Sequence, residues 1–236
     1  MMQKNRESRQ QLDRPISRVK RQTTRKSVSF DRYATVALQL DHLIEKDESA
    51  PVIGITSADH NEGKTESAMM LGFAFASILE YRVLIIDGDL RHSALYQYLQ
   101  VNKSPGLTDL LSTRVSIEDV ISRTSVNRLY VMSSGTPVGN PLALLASKRL
   151  QSLVRHLSTQ FDVIIFDMPP VLGYQDVSLL SRLLDGIAVI VKSGQSTMTQ
   201  LESALSALSV VSTDVLGVIL IDVERNRRRI GVQKRE

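Results

Sequence analysis

Lys64 and Thr65 follow Asn61-Glu62-Gly63 at the point where a short apolar run gives way to a long apolar-periodic stretch. Such a junction can bind a polyphosphate. That ligand asks for backbone N–H donors converging at a positive helix end, a mobile cation for the outer phosphates and a hydroxyl for Mg²⁺. Gly63 lets the backbone approach, Lys64 is the cation and Thr65 the hydroxyl. A phosphate loop of this length usually opens on glycine, and Ala58 stands there instead. Asn61 is the non-glycine type that best tolerates a left-handed backbone, so the loop is still expected to close. A Gly-Lys-Thr triplet alone would equally describe a solvated helix start.

The remaining chemistry lies at the ends of two other apolar runs. Val163-Ile164-Ile165-Phe166-Asp167 closes on a carboxylate and is stopped by Met168-Pro169-Pro170, and Val83-Leu84-Ile85-Ile86 closes on Asp87-Gly88-Asp89-Leu90-Arg91. In a parallel sheet all carboxyl strand ends open on one edge. Asp87, Asp89 and Asp167 are therefore expected to meet Lys64 around a magnesium nucleotide. Each aspartate by itself is also a ready turn former or helix cap; three at separate strand ends make chance a poor account. Arg91 either reaches phosphate or makes a structural ion pair.

These side chains need elements to carry them. Apolar runs rich in β-branched residues predict strands at 51–57, 82–87, 129–132, 162–167, 186–191 and 216–221. Helical spacing marks 33–44, 64–80, 141–157, 177–184 and 199–211, with short capped helices at 106–111 and 116–121 inside the irregular stretch 92–127. The alternation predicts an α/β protein: a doubly wound, mainly parallel sheet with helices on both faces. The expected organisation is a basic, disordered arm at 1–30, one domain at 31–223 and a basic tail at 224–236.

Composition sets the frame. With 236 residues and 42% hydrophobic content, the chain can bury one good core, and a second full domain is not expected. No apolar run approaches the roughly 20 residues of a membrane-spanning helix, and the amino terminus lacks the apolar core of a secretory signal, so a cytoplasmic location is expected. The absence of cysteine excludes disulfides and thiolate chemistry, and none of the four histidines pairs at a ligand spacing. Residues 1–30 hold nine Lys/Arg against two Asp/Glu and residues 224–236 six against two, while the body between them holds 14 against 21. Such arms suit anionic lipid or an acidic partner; no aromatics interleave for base stacking, so nucleic acid is not expected.

The ordered motifs together resemble the bacterial tyrosine kinases of capsule and exopolysaccharide synthesis, P-loop proteins related to the MinD/ParA ATPases. The resemblance runs over about residues 50 to 221. It includes the loop ending Gly63-Lys64-Thr65, a second such motif at Val83 to Arg91, Gly106-Leu107-Thr108-Asp109-Leu110-Leu111, the segment Gly135 to Leu145, Phe161 to Pro170, and Asp176 to Gly186. It implies ATP and Mg²⁺ as cofactors, cradled by Asn61, Glu62, Gly63, Lys64, Thr65 and Glu66. Lys64 would meet the phosphates, Thr65, Asp87 and Asp167 the metal, and Asp87 with Asp89 the incoming nucleophile. It further implies regulation of exopolysaccharide synthesis and export at the inner face of the plasma membrane, through the cytoplasmic segment of a chain-length-determinant (polysaccharide co-polymerase) protein.

Departures from the family pattern temper this. No tyrosine follows Tyr174, so phosphorylation of a tyrosine-rich tail is not expected. The family's Glu-x-x-Arg-x-x-Arg self-association motif aligns with Asp31, Ala34 and Ala37, which leaves ring assembly in doubt and other self-association open. His60-Asn61 replaces a usual Pro-Gly, and Ile221 stands where an asparagine often helps hold the base. Two other functions fit the same residues: a catalytically weak nucleotide-binding docking module, and a MinD/ParA-type positioning ATPase.

Overall fold

The computed structural model describes residues 25–44, 49–211 and 213–223. The expectations placed on residues 1–24 and 224–236 lie outside them. The first element, α1 (Arg25–Leu43), takes in residues 25–30 of the segment expected to be an arm.

Seven strands form one sheet: β1 (Val52–Ser57), β2 (Val83–Asp87), β3 (Ile121–Arg123), β4 (Leu129–Met132), β5 (Val163–Asp167), β6 (Gly186–Lys192) and β7 (Val215–Ile221). Their order is β3-β4-β2-β5-β1-β6-β7, and every pairing is parallel except β3 with β4. The central strands β1, β2 and β5 are buried at every position, as their unbroken apolar runs require.

Side-chain alternation splits the core in two. Ile53, Ile55, Val83, Ile85, Val163 and Ile165 face one side, where α1, α2 (Lys64–Ile78) and α3 (Leu95–Leu99) cover them. Leu84, Ile86, Ile164, Phe166, Ile187 and Val189 face the other. That side carries α4 (Leu107–Ser112), α5 (Ile117–Val120), α6 (Pro141–Leu145), α7 (Lys148–Leu157), α8 (Asp176–Leu180) and α9 (Met198–Leu208).

Three local expectations are corrected. The helix expected over 141–157 is two helices, because Asn140 caps the first and the Ser147 hydroxyl accepts from Leu150 N–H to start a second. The 177–184 helix is one short α-helix continued by a 3₁₀ turn over Ser181–Leu183. Ile121, expected at a helix end, begins an antiparallel edge strand, since α5 is a single turn and β-branched residues favour the exposed edge of β4.

Ala37 is fully buried in the layer shared by α1 and α2, beside Tyr33 and Leu40. The Tyr33 hydroxyl hydrogen-bonds the Ser67 hydroxyl at 2.8 Å across that contact. An arginine at position 37 would have to enter the core.

Candidate functional site

The carboxyl ends of β1, β5 and β2 lie side by side, with β5 in the middle. In register, Asp167 pairs with Ile55 on one side and with Asp87 on the other, so the two aspartates occupy one rung of the sheet. Gly88 makes this tight passage possible: its N–H donates to the Asp167 carbonyl at 2.8 Å, and an added Cβ would press on that same oxygen at 3.2 Å.

After β1 the chain turns through the loop expected to hold phosphate. Asn61 has a φ of 61° and Gly63 a φ of 83°, so the left-handed positions fall where a tolerant residue and a glycine stand. Gly63 is also the residue immediately before α2, which opens on Lys64. The backbone N–H groups of the first turn thus face the carboxyl edge of the sheet. Ala58, fully buried, fills the place of the usual opening glycine without breaking the turn.

Lys64 is nearly buried, and its Nζ donates to Asp89 Oδ2 at 2.9 Å. Burial works against its charge, but Asp167 and Asp89 outweigh that cost and hold its pKa above the ordinary lysine value. Asp89 Oδ1 also accepts from the His92 N–H at 2.9 Å. By contrast, all four carboxylate oxygens of Asp87 and Asp167 are buried without a hydrogen-bond partner. Burial pushes the Asp87 pKa well up, and neighbouring Asp167 and Asp89 push it further. Burial likewise lifts Asp167 to about 6, against the pull of Lys64. Thr65 adds a weaker pull on Asp167 without completing a hydrogen bond of normal geometry.

Two adjacent buried carboxylates without donors are costly unless a cation meets them. Their hard oxygen chemistry, beside the Thr65 hydroxyl, fits Mg²⁺. Among the described residues no three His, Asp or Glu side chains converge to cage a metal on their own. A divalent ion here would complete its shell with phosphate and water.

The other expected site residues are placed as follows. The Glu62 side chain is buried and bonded within the loop and to its brace: it accepts from Asp59 N–H at 2.8 Å and from the Ser196 hydroxyl. Gln195 reaches the His60 carbonyl at 3.3 Å and Gln200 the Asp59 carboxylate at 3.2 Å. The segment after β6 and the first turn of α9 therefore brace the loop and hold the Glu62 carboxylate. Glu66 is exposed on the first turn of α2 and lies near Tyr33 rather than among the aspartates. Arg91 makes the structural ion pair, with two hydrogen bonds to buried Asp176 at 3.0 and 3.3 Å. Ile221 packs its Cδ1 where a Cβ on Gly63 would lie, 2.6 Å away.

Several participants carry no motif that sequence reasoning could use. The bracing residues Ser196 and Gln200 belong to this group, as do the rings of His60, His92 and Tyr174, which cluster at the loop with centroids 5.0 to 6.0 Å apart. The only signal for Asp176 was its place in a motif segment of the resemblance.

Residues 51–215 match the AAA domain family. The chain is 31% identical over 219 residues to tyrosine-protein kinase YwqD of Bacillus subtilis (strain 168), a match spanning 93% of this chain and 90% of that protein. It is 39% identical over 145 residues to tyrosine-protein kinase ptk of Acinetobacter johnsonii; that match covers 61% of this chain and 20% of the longer relative. The solved BceF tyrosine kinase domain superposes with a TM-score of 0.74 at 26% identity, over 92% of this chain and 86% of that one. A parallel sheet with a lysine-bearing loop and facing strand-end carboxylates defines the P-loop ATPase class. Within that class, the chain belongs to the bacterial tyrosine-kinase family.

Proposed function

We propose that the chain binds Mg-ATP at the Gly63, Lys64 and Thr65 edge and moves the terminal phosphoryl group to a hydroxyl, that of water or of a tyrosine. The observation that carries this is the pair Asp87 and Asp167, four buried carboxylate oxygens without donors on the rung beside Lys64. A bound Mg²⁺ would supply the positive charge that both the carboxylates and the phosphates require.

The protein's own residues do the rest. Backbone N–H groups of 61–65 orient the phosphates at the start of α2. Lys64 is poised to exchange Asp89 for phosphate, and that exchange frees the Asp89 carboxylate to orient an attacking hydroxyl and take its proton. Ile55, Ile85 and Ile165, all fully buried on the same face of the sheet, keep the rung in a low dielectric, where these charges act strongly.

The physiological role follows from the family. The chain acts as an ATP-dependent switch on exopolysaccharide or capsule synthesis and export, working in the cytoplasm through the cytoplasmic segment of a chain-length-determinant membrane protein. Among the described residues no helix is long and apolar enough to cross a membrane, and such a partner would supply the link.

Incubation with labelled Mg-ATP tests the chemistry. Phosphate release or phosphotyrosine should fall roughly a hundredfold or more in Lys64→Ala and Asp167→Ala. Equal output from all three proteins would remove the catalytic reading, and tight binding with negligible turnover would favour a docking module.

A further inference from the structure

On the face of the sheet away from α1, the carbonyl end of α4, the turn into α5 and the outer side of α7 enclose an open groove of about 380 Å³. That volume falls in the range of clefts that bury a ligand. Leu110, Leu111 and Leu153 form its floor, buried in the core beneath, and the half-exposed Val115 and Ile117 rise as one wall. The opposite wall is α7, which carries Lys148, Arg149, Arg155 and His156 and no acid.

Arg149 sets the character of the groove. Its guanidinium donates to the Leu111 carbonyl at 3.2 Å and to the Thr113 carbonyl at 2.8 Å. Backbone oxygens rather than a carboxylate therefore pin this charge across the end of α4. His156 lines the same wall, its ring 2.9 Å from the Gln160 amide. Lys148 and Arg114 stand exposed beside lining residues and make no ion pair among the described residues. The acids of α4 and α5 do not line the groove: Asp109 accepts from the Gly106 and Thr136 N–H groups, Asp119 accepts from the Ser116 hydroxyl, and Glu118 is exposed.

A cationic rim around an apolar floor calls for a ligand with the inverse pattern. Apolar side chains entering the groove would supply affinity, and a carboxylate would take the remaining N–H groups of Arg149 in the fork geometry that a guanidinium favours. We propose that this groove docks a partner protein through a short acidic amphipathic peptide. Its aliphatic side chains enter between α5 and α7, and its Asp or Glu residues meet Arg149 and the basic rim. A membrane surface fits less well, because the apolar residues lie at the bottom of a cleft that a flat layer of headgroups does not reach. The inference is independent of the Mg-ATP reading, since it uses none of that site's residues.

The test is fluorescence anisotropy of a labelled helical probe peptide, with leucines at i, i+3 and i+7 and glutamates on their flanks, titrated with the full-length protein. Parallel titrations use the same peptide with glutamine for each glutamate, and phosphatidylglycerol vesicles. Arg149→Gln removes the pinned charge. Ser152→Glu places an acid in the groove at an exposed position of α7, where glutamate suits the helix, and it carries the test if thermal melts show that Arg149→Gln is unfolded. The expected result is saturable binding of the acidic probe that weakens as salt is raised, with affinity about tenfold lower for the glutamine peptide and for either variant. An acidic probe that fails to bind, that binds both variants as tightly as wild type, or that the glutamine peptide matches would overturn the inference. Vesicle binding that is lost in Ser152→Glu, without binding of the probe, would overturn it in favour of a membrane surface.

Discussion

At the scale of single residues, Asp87 and Asp167 hold the site in a state that resists being empty. Both carboxyls have folded pKa values above their unfolded ones. The folded protein therefore keeps protons that the unfolded chain has already lost, and stability from this source is fully present only at low pH. It falls as pH rises from the ordinary carboxylate range through about 6, where Asp167 is forced to ionise in the interior. Asp167→Asn removes that cost. In chelator without nucleotide, this variant should be more stable than wild type at pH 8 by about 1–3 kcal/mol, with the gap closing toward pH 5. Mg-ATP should reverse the order. Thermal melts across pH check this, and superimposable melts would show that ionising Asp167 in the interior carries no such cost. The Lys64 prediction belongs to the same scale: losing the ammonium leaves Asp89 buried with one donor fewer, so Lys64→Ala should lose stability as well as turnover.

At the scale of elements, the phosphate-binding loop is positioned from two directions. From within, Asn61 and Gly63 hold left-handed backbone; from outside, Ser196 before α9 holds Glu62 and Gln200 in its first turn holds Asp59. Ser196→Ala deletes one of these braces at a buried acid and should weaken Mg-ATP affinity about 3- to 10-fold, equivalent to roughly 1 kcal/mol. Calorimetry would read it, and unchanged affinity would show that the loop holds its own shape.

Every strand except β3, and the turn after β1, were legible in the sequence because each is written locally. Unbroken apolar runs mark strands covered on both faces, and a carboxylate or lysine at the end of such a run lands on the sheet edge by topology alone. The bracing contacts and the tyrosine cluster were not legible, since they join Glu62 to Ser196, Arg91 to Asp176 and His60 to Tyr174 across segments far apart in the chain. Helix breaks fell in between. Ser147 is visible as a cap only once the direction of the chain around it is known.

At the scale of the whole molecule, the α1–α2 layer encloses residue 37 in the core. Ala37 packs at zero exposure beside Leu40 and Tyr33, so the surface that an arginine at this position would present is here interior. Ala37→Arg should destabilise the fold by several kcal/mol, on the order of other buried unpaired charges, and chemical denaturation measures that directly. A neutral result would place residue 37 at the surface and return it to self-association. The same layer ties α1 to the proposed phosphate-binding loop, because Ser67, hydrogen-bonded to Tyr33 of α1, sits on the first turns of α2 just beyond Lys64.

The central claim is that one sheet edge gathers Lys64, Thr65, Asp87 and Asp167 around a magnesium triphosphate. A crystal structure with Mg²⁺ and a non-hydrolysable ATP analogue tests it most directly. The account predicts Lys64 Nζ turned from Asp89 to the outer phosphates, and a metal about 2.1 Å from the Thr65 hydroxyl, facing Asp87 and Asp167 directly or through water. A structure in which Lys64 stays on Asp89 while the nucleotide binds elsewhere would contradict it.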